Sequence, residues 1–293
     1  QTDMVNVLLN DALEPLSANT VTLLINGEQK FPAVLDAIEE AKHFIHLEYY
    51  IYEDDLIGNA IKDALIKKAK QGCVIRFIYD DFGSRDISDE FFRDLKAGGV
   101  EAYPFFKVHI PTIASRLNYR NHRKIIVIDG RVGFVGGINV SDRYVNKKTD
   151  ILYWRDTHVK IVGPAVLSLQ YHFLADWNFC AQQDVQPDEI HFPPATEIPK
   201  GDSLVQIVAS GPDYPNPSIM LCYFTAIVNA RERVYITSPY FIPNNSIYDA
   251  LKKAALSGKD VRLLVPGISD SYFVNAASES YYEELLTCGV KIY

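Results

Sequence analysis

Cysteine is scarce in this chain, and its placement removes two classes of protein. Cys73, Cys180, Cys222 and Cys288 are scattered over 293 residues without metal or redox spacing. Neither a disulfide framework nor a cysteine-built metal or dithiol centre is expected, and the thiols should stay reduced. The seven histidines form no ligand cluster, and His43 and His46, on one expected strand, read as structural. No apolar run approaches the roughly 18 residues that a membrane-spanning helix needs. The first residues also lack the order of a signal peptide. Basic residues are outnumbered, 29 against 37 acidic ones for a net charge of −8, which disfavours a generic nucleic-acid binder. Acid is missing from one stretch altogether. Between Glu101 and Asp129 there is none, while Lys107, Arg116, Arg120, Arg123 and Lys124 fall there. A local positive field in an acidic protein points to an anionic ligand.

That stretch runs into the most informative part of the chain. Residues 121–139 read as H-x-K-x4-D-x6-G-G-x-N, made of His122, Lys124, Asp129, Gly136, Gly137 and Asn139. The apolar, β-branched run after Lys124 predicts a strand buried on both faces. Strand side chains alternate, so His122 and Lys124 should share one side at its entry. An imidazole beside an ammonium suits attack on a phosphate diester: the first is nucleophile or proton donor, and the second offsets phosphate charge. Gly136 and Gly137 allow close backbone approach, and Asn139 beyond them can donate an amide N–H to a phosphate oxygen. Asp129 lies at the far end of the strand and has the opposite parity. It is expected either to cap the turn at Asp129-Gly130 or to orient a partner group.

The chain also repeats itself. Residues 63–77 align with 249–263, residues 41–47 with 230–236, and Leu95, Gly99, Val100 and Tyr103 with Leu285, Gly289, Val290 and Tyr293. Each copy alternates amphipathic stretches with short β-branched runs, which predicts an α/β layered sandwich. The expected division is a first repeat over 1–182, a proline-rich linker over 183–202 and a second repeat over 203–293. Tyr103 precedes His122 by 19 residues and its counterpart Tyr293 is the last residue, so the second repeat is expected to stop before its own His-x-Lys.

The run at 120–139 resembles the signature of the phospholipase D superfamily. HLEYYIY at 46–52, YWRDTHVKIVGPAV at 153–166, TSPYFIPN at 237–244 and SYYEELLTCGVKIY at 280–293 resemble its cardiolipin synthase branch, and the likeness spans about residues 20–293. The resemblance implies a phospholipase D-like α/β/α sandwich of two pseudo-repeats, the second one incomplete. It implies a catalytic set of His122, Lys124 and Asp129, with Asn139 and Gly137 at the phosphate. Two motifs would meet across a pseudo-twofold axis, one His forming a phosphohistidine and the other protonating the leaving alcohol, with no metal or cofactor. The implied reaction joins two phosphatidylglycerol molecules into cardiolipin and glycerol at a bacterial cell membrane, with no nucleic acid as partner. A phospholipase D-type hydrolase, a nuclease and a nonenzymatic lipid-binding role are the alternatives.

Four further readings complete the expectations. Glu48 should orient a histidine or satisfy a local donor, and Arg120 should support the site. Tyr240 should line an acyl or glycerol pocket or else belong to the core, and Arg155 should pair with Asp156. The acid-free segment 105–117 is read as a contact with an anionic bilayer, with a buried crossover as the alternative.

Overall fold

The structure, a computed structural model, describes residues 2–11, 14–105, 120–147, 153–212, 214–267 and 272–293. Apart from Phe105, the segment read as a bilayer contact lies outside them. The chain forms two compact units, Pro15–Ile207 on one side and Gln1–Glu14 with Val208–Tyr293 on the other. Helix α1 (Thr2–Asp11) therefore belongs with the C-terminal unit.

The larger unit runs β1 (Ser17–Ile25), α2 (Asn26–Glu40), β2 (Phe44–Tyr49), α3 (Leu56–Lys70), β3 (Val74–Asp80), α4 (Asp89–Ala97) and β4 (Val100–Phe105). It continues through β5 (Lys124–Ile128), β6 (Val132–Gly136), β7 (Thr157–Val162), α5 (Ala165–Ala181) and β8 (Ser203–Val205). Its eight strands lie in the order β4-β3-β2-β5-β6-β7-β1-β8. The pairs β2–β3 and β3–β4 are parallel, whereas β5 enters antiparallel to β2, with Tyr49 opposite Lys124. Every residue of β2 and β5 is buried, because helices cover both faces. On one face Phe31 and Ile38 of α2, Leu65 of α3 and Phe91 of α4 pack with Leu47, Phe77 and Ile126. On the other, Val166 and Leu169 of α5 pack with Phe44, Ile125 and Val127. Each such apolar side chain contributes about 1.5–3 kcal/mol on burial, which fixes the register of β5 and hence the end at which His122 emerges.

The C-terminal unit contains α6 (Ser218–Asn229), β9 (Arg233–Thr237), α7 (Asn245–Leu256), β10 (Asp260–Leu264), α8 (Tyr272–Glu279), α9 (Tyr282–Thr287) and β11 (Lys291–Ile292). Its parallel order β11-β10-β9 matches β4-β3-β2, as the repeat predicts. The helix-ending glycines agree in conformation: Gly72 and Gly258 have φ of 99° and 80°, and Gly99 and Gly289 have 87° and 95°. Those values favour glycine and account for the aligned positions. In the larger unit β5 occupies the far edge of β2; among the described residues, no strand occupies that edge of β9.

Besides the placement of residues 1–14 with the C-terminal unit, the division differs from the expected one at two further places. Residues 183–202 are not a free connection but a strap on the larger unit. Arg76 Nη1 donates to Nε2 of both His46 (3.1 Å) and His191 (3.2 Å), so the strap is tied to β3 and β2 through two neutral imidazoles. Residues 203–205 then pair with β1 as β8, which carries the boundary to Ile207.

Asp129 is also placed differently from the catalytic set implied by resemblance. With φ of 52° and 62°, Asp129 and Gly130 form the left-handed tip of the β5–β6 hairpin, closed by Arg131 N–H donating to Ile128 O at 3.0 Å. The Asp129 carboxylate accepts backbone N–H groups of Lys42 (2.8 Å), His43 (2.8 Å) and Phe44 (2.9 Å). It anchors the entry of β2 at the end of β5 remote from Lys124. Replacing Asp129 with Ala should cost about 2–4 kcal/mol in urea unfolding, since three donors lose a charged acceptor. A loss below roughly 0.5 kcal/mol, the scale of an ordinary surface change, would contradict this role.

Candidate active site

Because β5 runs antiparallel to β2 and β3, its first residues meet the ends of both strands. Asn121 is held there from two sides. Its backbone N–H donates to Asp80 Oδ2 at 3.2 Å, and its side-chain Nδ2 donates to Glu48 Oε1. Its own Oδ1 accepts the N–H of Arg123 at 3.0 Å. Asp80, fully buried at the end of β3, also accepts from Phe82 N (3.1 Å) and Gly83 N (2.9 Å). Arg123 pairs with Asp176 of α5 on the same face as Glu48.

His122 and Lys124 emerge together on the opposite face. Lys124 Nζ lies 3.0 Å from His122 Nδ1 and donates to the His122 carbonyl at 2.6 Å. The Tyr50 ring stands 4.4 Å from the imidazole, and Lys124 Nζ lies 5.3 Å from its centroid. Desolvation, with the Lys124 charge second, pulls the imidazole down to about 4. Burial likewise lowers the Lys124 ammonium to about 8, against the pull of Asp156 and Asp80. Near neutral pH the site therefore holds a neutral imidazole beside a protonated lysine. His122 remains solvent-exposed, whereas Lys124 is 4% exposed.

The two glycines bring β7 close to this pair. A Cβ on Gly137 would fall 2.2 Å from Asp156 Oδ1, and one on Gly136 would fall 2.6 Å from His158 Nδ1. Neither can be replaced without moving those side chains. The Asp156 carboxylate accepts Thr157 N–H at 2.6 Å and carries electrostatic interactions with Lys124 and Lys30. Arg155 does not pair with it as expected: its guanidinium donates to the Asp156 carbonyl (2.6 Å) and to Thr157 Oγ1 (2.9 Å). His158 is 1% exposed, and among the described residues neither ring nitrogen has a hydrogen-bond partner. Asn139 is largely engaged within the protein, its Oδ1 accepting from Ile51 N (3.1 Å) and its Nδ2 donating to Tyr144 Oη (3.0 Å). Among the described residues its second Nδ2 hydrogen has no hydrogen-bond partner.

Sequence reasoning passed over Lys30, Asp80 and His158, and treated Asp156 as a partner for Arg155. Lys30 had a signal: it occupies the buried stripe of α2 shared by Asn26, Phe31, Val34 and Ile38, where a lysine is out of place. Arg120 stacks over Phe82 at 4.8 Å. Tyr240 belongs to the C-terminal unit and is 47% exposed.

The fold and this pair of side chains define a layered α/β protein with a His–Lys pair presented at the end of its central sheet. Comparison narrows the class. A family model described as "Cardiolipin synthase, PLD-like domain" matches residues 34–177 and 223–293, and the chain belongs to that family. It is 48% identical over 270 residues to cardiolipin synthase 2 of Bacillus anthracis, covering 92% of this chain and 52% of that protein. Against cardiolipin synthase of Geobacillus thermodenitrificans it is 47% identical over 276 residues, covering 94% and 55%. The chain thus spans about half the length of the curated relatives it matches. Its fold is similar to that of a phosphatidylserine synthase of Haemophilus influenzae, with TM-score 0.66, 14% identity and coverage of 96% of this chain and 72% of that one.

Glu48 gives the site a pH signature. Burial raises its carboxyl to about 7, against the pull of Arg123 and of the Asn121 bond. The folded value lies above the ordinary 4.5, so the folded state keeps a proton that the unfolded state sheds across that window. Stability should fall as pH rises through it. Glu48→Gln removes this dependence, so urea unfolding should show the variant gaining roughly 1–3 kcal/mol on wild type between pH 5 and pH 8. A difference that does not change with pH would contradict the burial argument.

Proposed function

We propose that the chain carries one half-site of a cardiolipin synthase, which transfers a phosphatidyl group between two phosphatidylglycerol molecules. The neutral imidazole of His122 beside the protonated Lys124 carries the reading most directly. His122 attacks the phosphorus of the first lipid, and the bond from phosphorus to the leaving glycerol oxygen breaks. That oxygen takes a proton from an acid of the second half-site. A hydroxyl of the second lipid then attacks phosphorus and gives up its proton to the same group. The phosphorus–nitrogen bond breaks, releasing cardiolipin and restoring His122.

Lys124 donates to the phosphate oxygens throughout, which takes its N–H groups away from His122 Nδ1. Asn139 supplies its remaining amide hydrogen, and Gly137 keeps the strap of backbone beside Asp156 thin enough for approach. Arg120, at the mouth of the motif, adds positive charge. The similarity to cardiolipin synthases over more than 90% of this chain supports the lipid substrate. The enzyme would work at the surface of the bacterial cell membrane, where phosphatidylglycerol resides. Among the described residues no helix is long and apolar enough to cross a bilayer.

The test uses phosphatidylglycerol vesicles with this chain and with a form extended past Tyr293 to the length of its relatives. The extended form should release one glycerol per cardiolipin, and His122→Ala should lower the rate at least ~10³-fold. Phosphatidic acid in place of cardiolipin would make the protein a hydrolase. Cleavage of DNA without action on lipid would make it a nuclease.

A further inference from the structure

Lys30 is fully enclosed in the larger unit, with 0% of its surface exposed. It enters from the buried stripe of α2, far in sequence from the motif. Its Nζ donates to the carbonyl of Ile138 at 2.8 Å and to that of Asn139 at 3.1 Å. The faces of Tyr49 and Phe31 flank the same ammonium, with centroids at 4.5 and 4.9 Å. Two carbonyl oxygens and two ring faces are a cation's environment, and they offset part of the large cost of enclosing it. An apolar residue would fill this helix position at lower cost, so a structural need for packing does not account for a lysine here.

The groups around Lys30 are those of the candidate site. Burial pulls the Lys30 ammonium well below the ordinary lysine range, Asp156 opposes that pull, and Lys124 adds to it. The same Asp156 attracts Lys124, and His158 feels both lysines. Tyr49, whose ring Lys30 faces, lies directly opposite Lys124 in the β2–β5 register. The backbone that Lys30 grips carries Asn139.

We propose that Lys30 is a positioning residue of the phosphate site, fixing the Ile138–Asn139 backbone and sharing the Asp156 carboxylate with Lys124 so that the phosphate meets a set array of positive charge. This rests on reading the site as a phosphate site. Lys30 does not touch the substrate. It holds Asn139 in place and supplies a second positive charge behind Lys124 that a single repeat would otherwise lack. Asp156 between the two ammonium groups keeps both in place while the site is empty.

The experiment reads the lysine ε-carbon NMR signals of this chain, with Lys124 assigned from Lys124→Arg. The groups facing Lys124 are His122, Tyr50, Asp80, Asp156, His158 and Lys30, so one substitution isolates one of them. Lys30→Gln keeps a donor for the two carbonyls but removes the charge, and Lys30→Arg keeps the charge. Removing a like charge should raise the titration midpoint of Lys124 by roughly half a pH unit to one unit in the Gln variant, and Lys30→Arg should leave it near the wild-type value. Binding of inorganic phosphate, followed through the His122 ring signals, should weaken about tenfold in the Gln variant and be retained in the Arg variant. An unchanged Lys124 midpoint in Lys30→Gln would overturn the proposal, whatever happens to binding. If Lys30→Gln does not fold, Asp156→Asn serves instead: by removing the shared carboxylate it should lower the Lys124 midpoint and shift the Lys30 signal as well, and a Lys30 signal that stays put would equally overturn it. Wild-type chain that binds no phosphate while the midpoints move as stated would count against the phosphate-site reading alone.

Discussion

Asn121 is held by two strands at once, and the placement of the reactive side chains follows from that grip. Asp80 takes its backbone N–H from the end of β3, and Glu48 takes its side-chain amide from β2. The residue just before His122 therefore cannot swing away from the sheet. Two positions later Lys124 enters β5, where burial on both faces fixes its register against Tyr49. The reactive pair is thus not displayed on a flexible loop, although the chain just ahead of it is not strand. A backbone clamp and a fully buried strand confine the residues between them. This is how an imidazole can stay exposed to a substrate and still be held to a fixed position.

Burial then decides the charge states. For Lys124 the two nearby carboxylates favour the ammonium, yet desolvation is the larger effect and leaves it at about 8. It stays charged near neutral pH with little to spare, and gives up that charge more easily than a surface lysine. For His122 both influences act in one direction, and the ring stays neutral. Asp156 opposes the effect of burial on both Lys30 and Lys124, and Asp80 opposes it on Lys124. The glycines of the motif make that moderation possible, since only a residue without Cβ lets Asp156 lie against Gly137. The Gly-Gly pair thus serves the electrostatics of the site as well as its shape.

Much of this was legible in the sequence, and the exceptions share a physical cause. His122 and Lys124 could be read because two residues at a strand entry need only local geometry to meet. The layered sandwich and the repeat could be read because period and helix-ending glycines are local too. Lys30 and Asp156 reach the site from α2 and from the turn into β7, through packing that no short window encodes. Asp129, read either as a turn cap or as part of the implied catalytic set, shows the converse. It sits inside the motif, but a strand carries its two ends apart, so a conspicuous spacing joined a chemical end to a scaffold end. Its parity already set it apart from Lys124. The strap at 183–202 has the composition of a linker, yet bonds from Arg76 to His191, from Gln183 to Glu101 and from Arg131 to Glu197 tie it to the larger unit.

The central claim is that the Asn121 clamp and the surrounding burial present His122 as a neutral nucleophile beside a charged lysine. The most direct measurement is the titration of the His122 ring by NMR in the intact chain, assigned by loss of its signal in His122→Ala. The account predicts a midpoint near 4, well below the roughly 6.5 of an unperturbed histidine, with Lys124 still protonated where the ring is neutral. A midpoint at or above the unperturbed value would contradict it, because burial and the Lys124 charge would then not be what keeps the ring neutral.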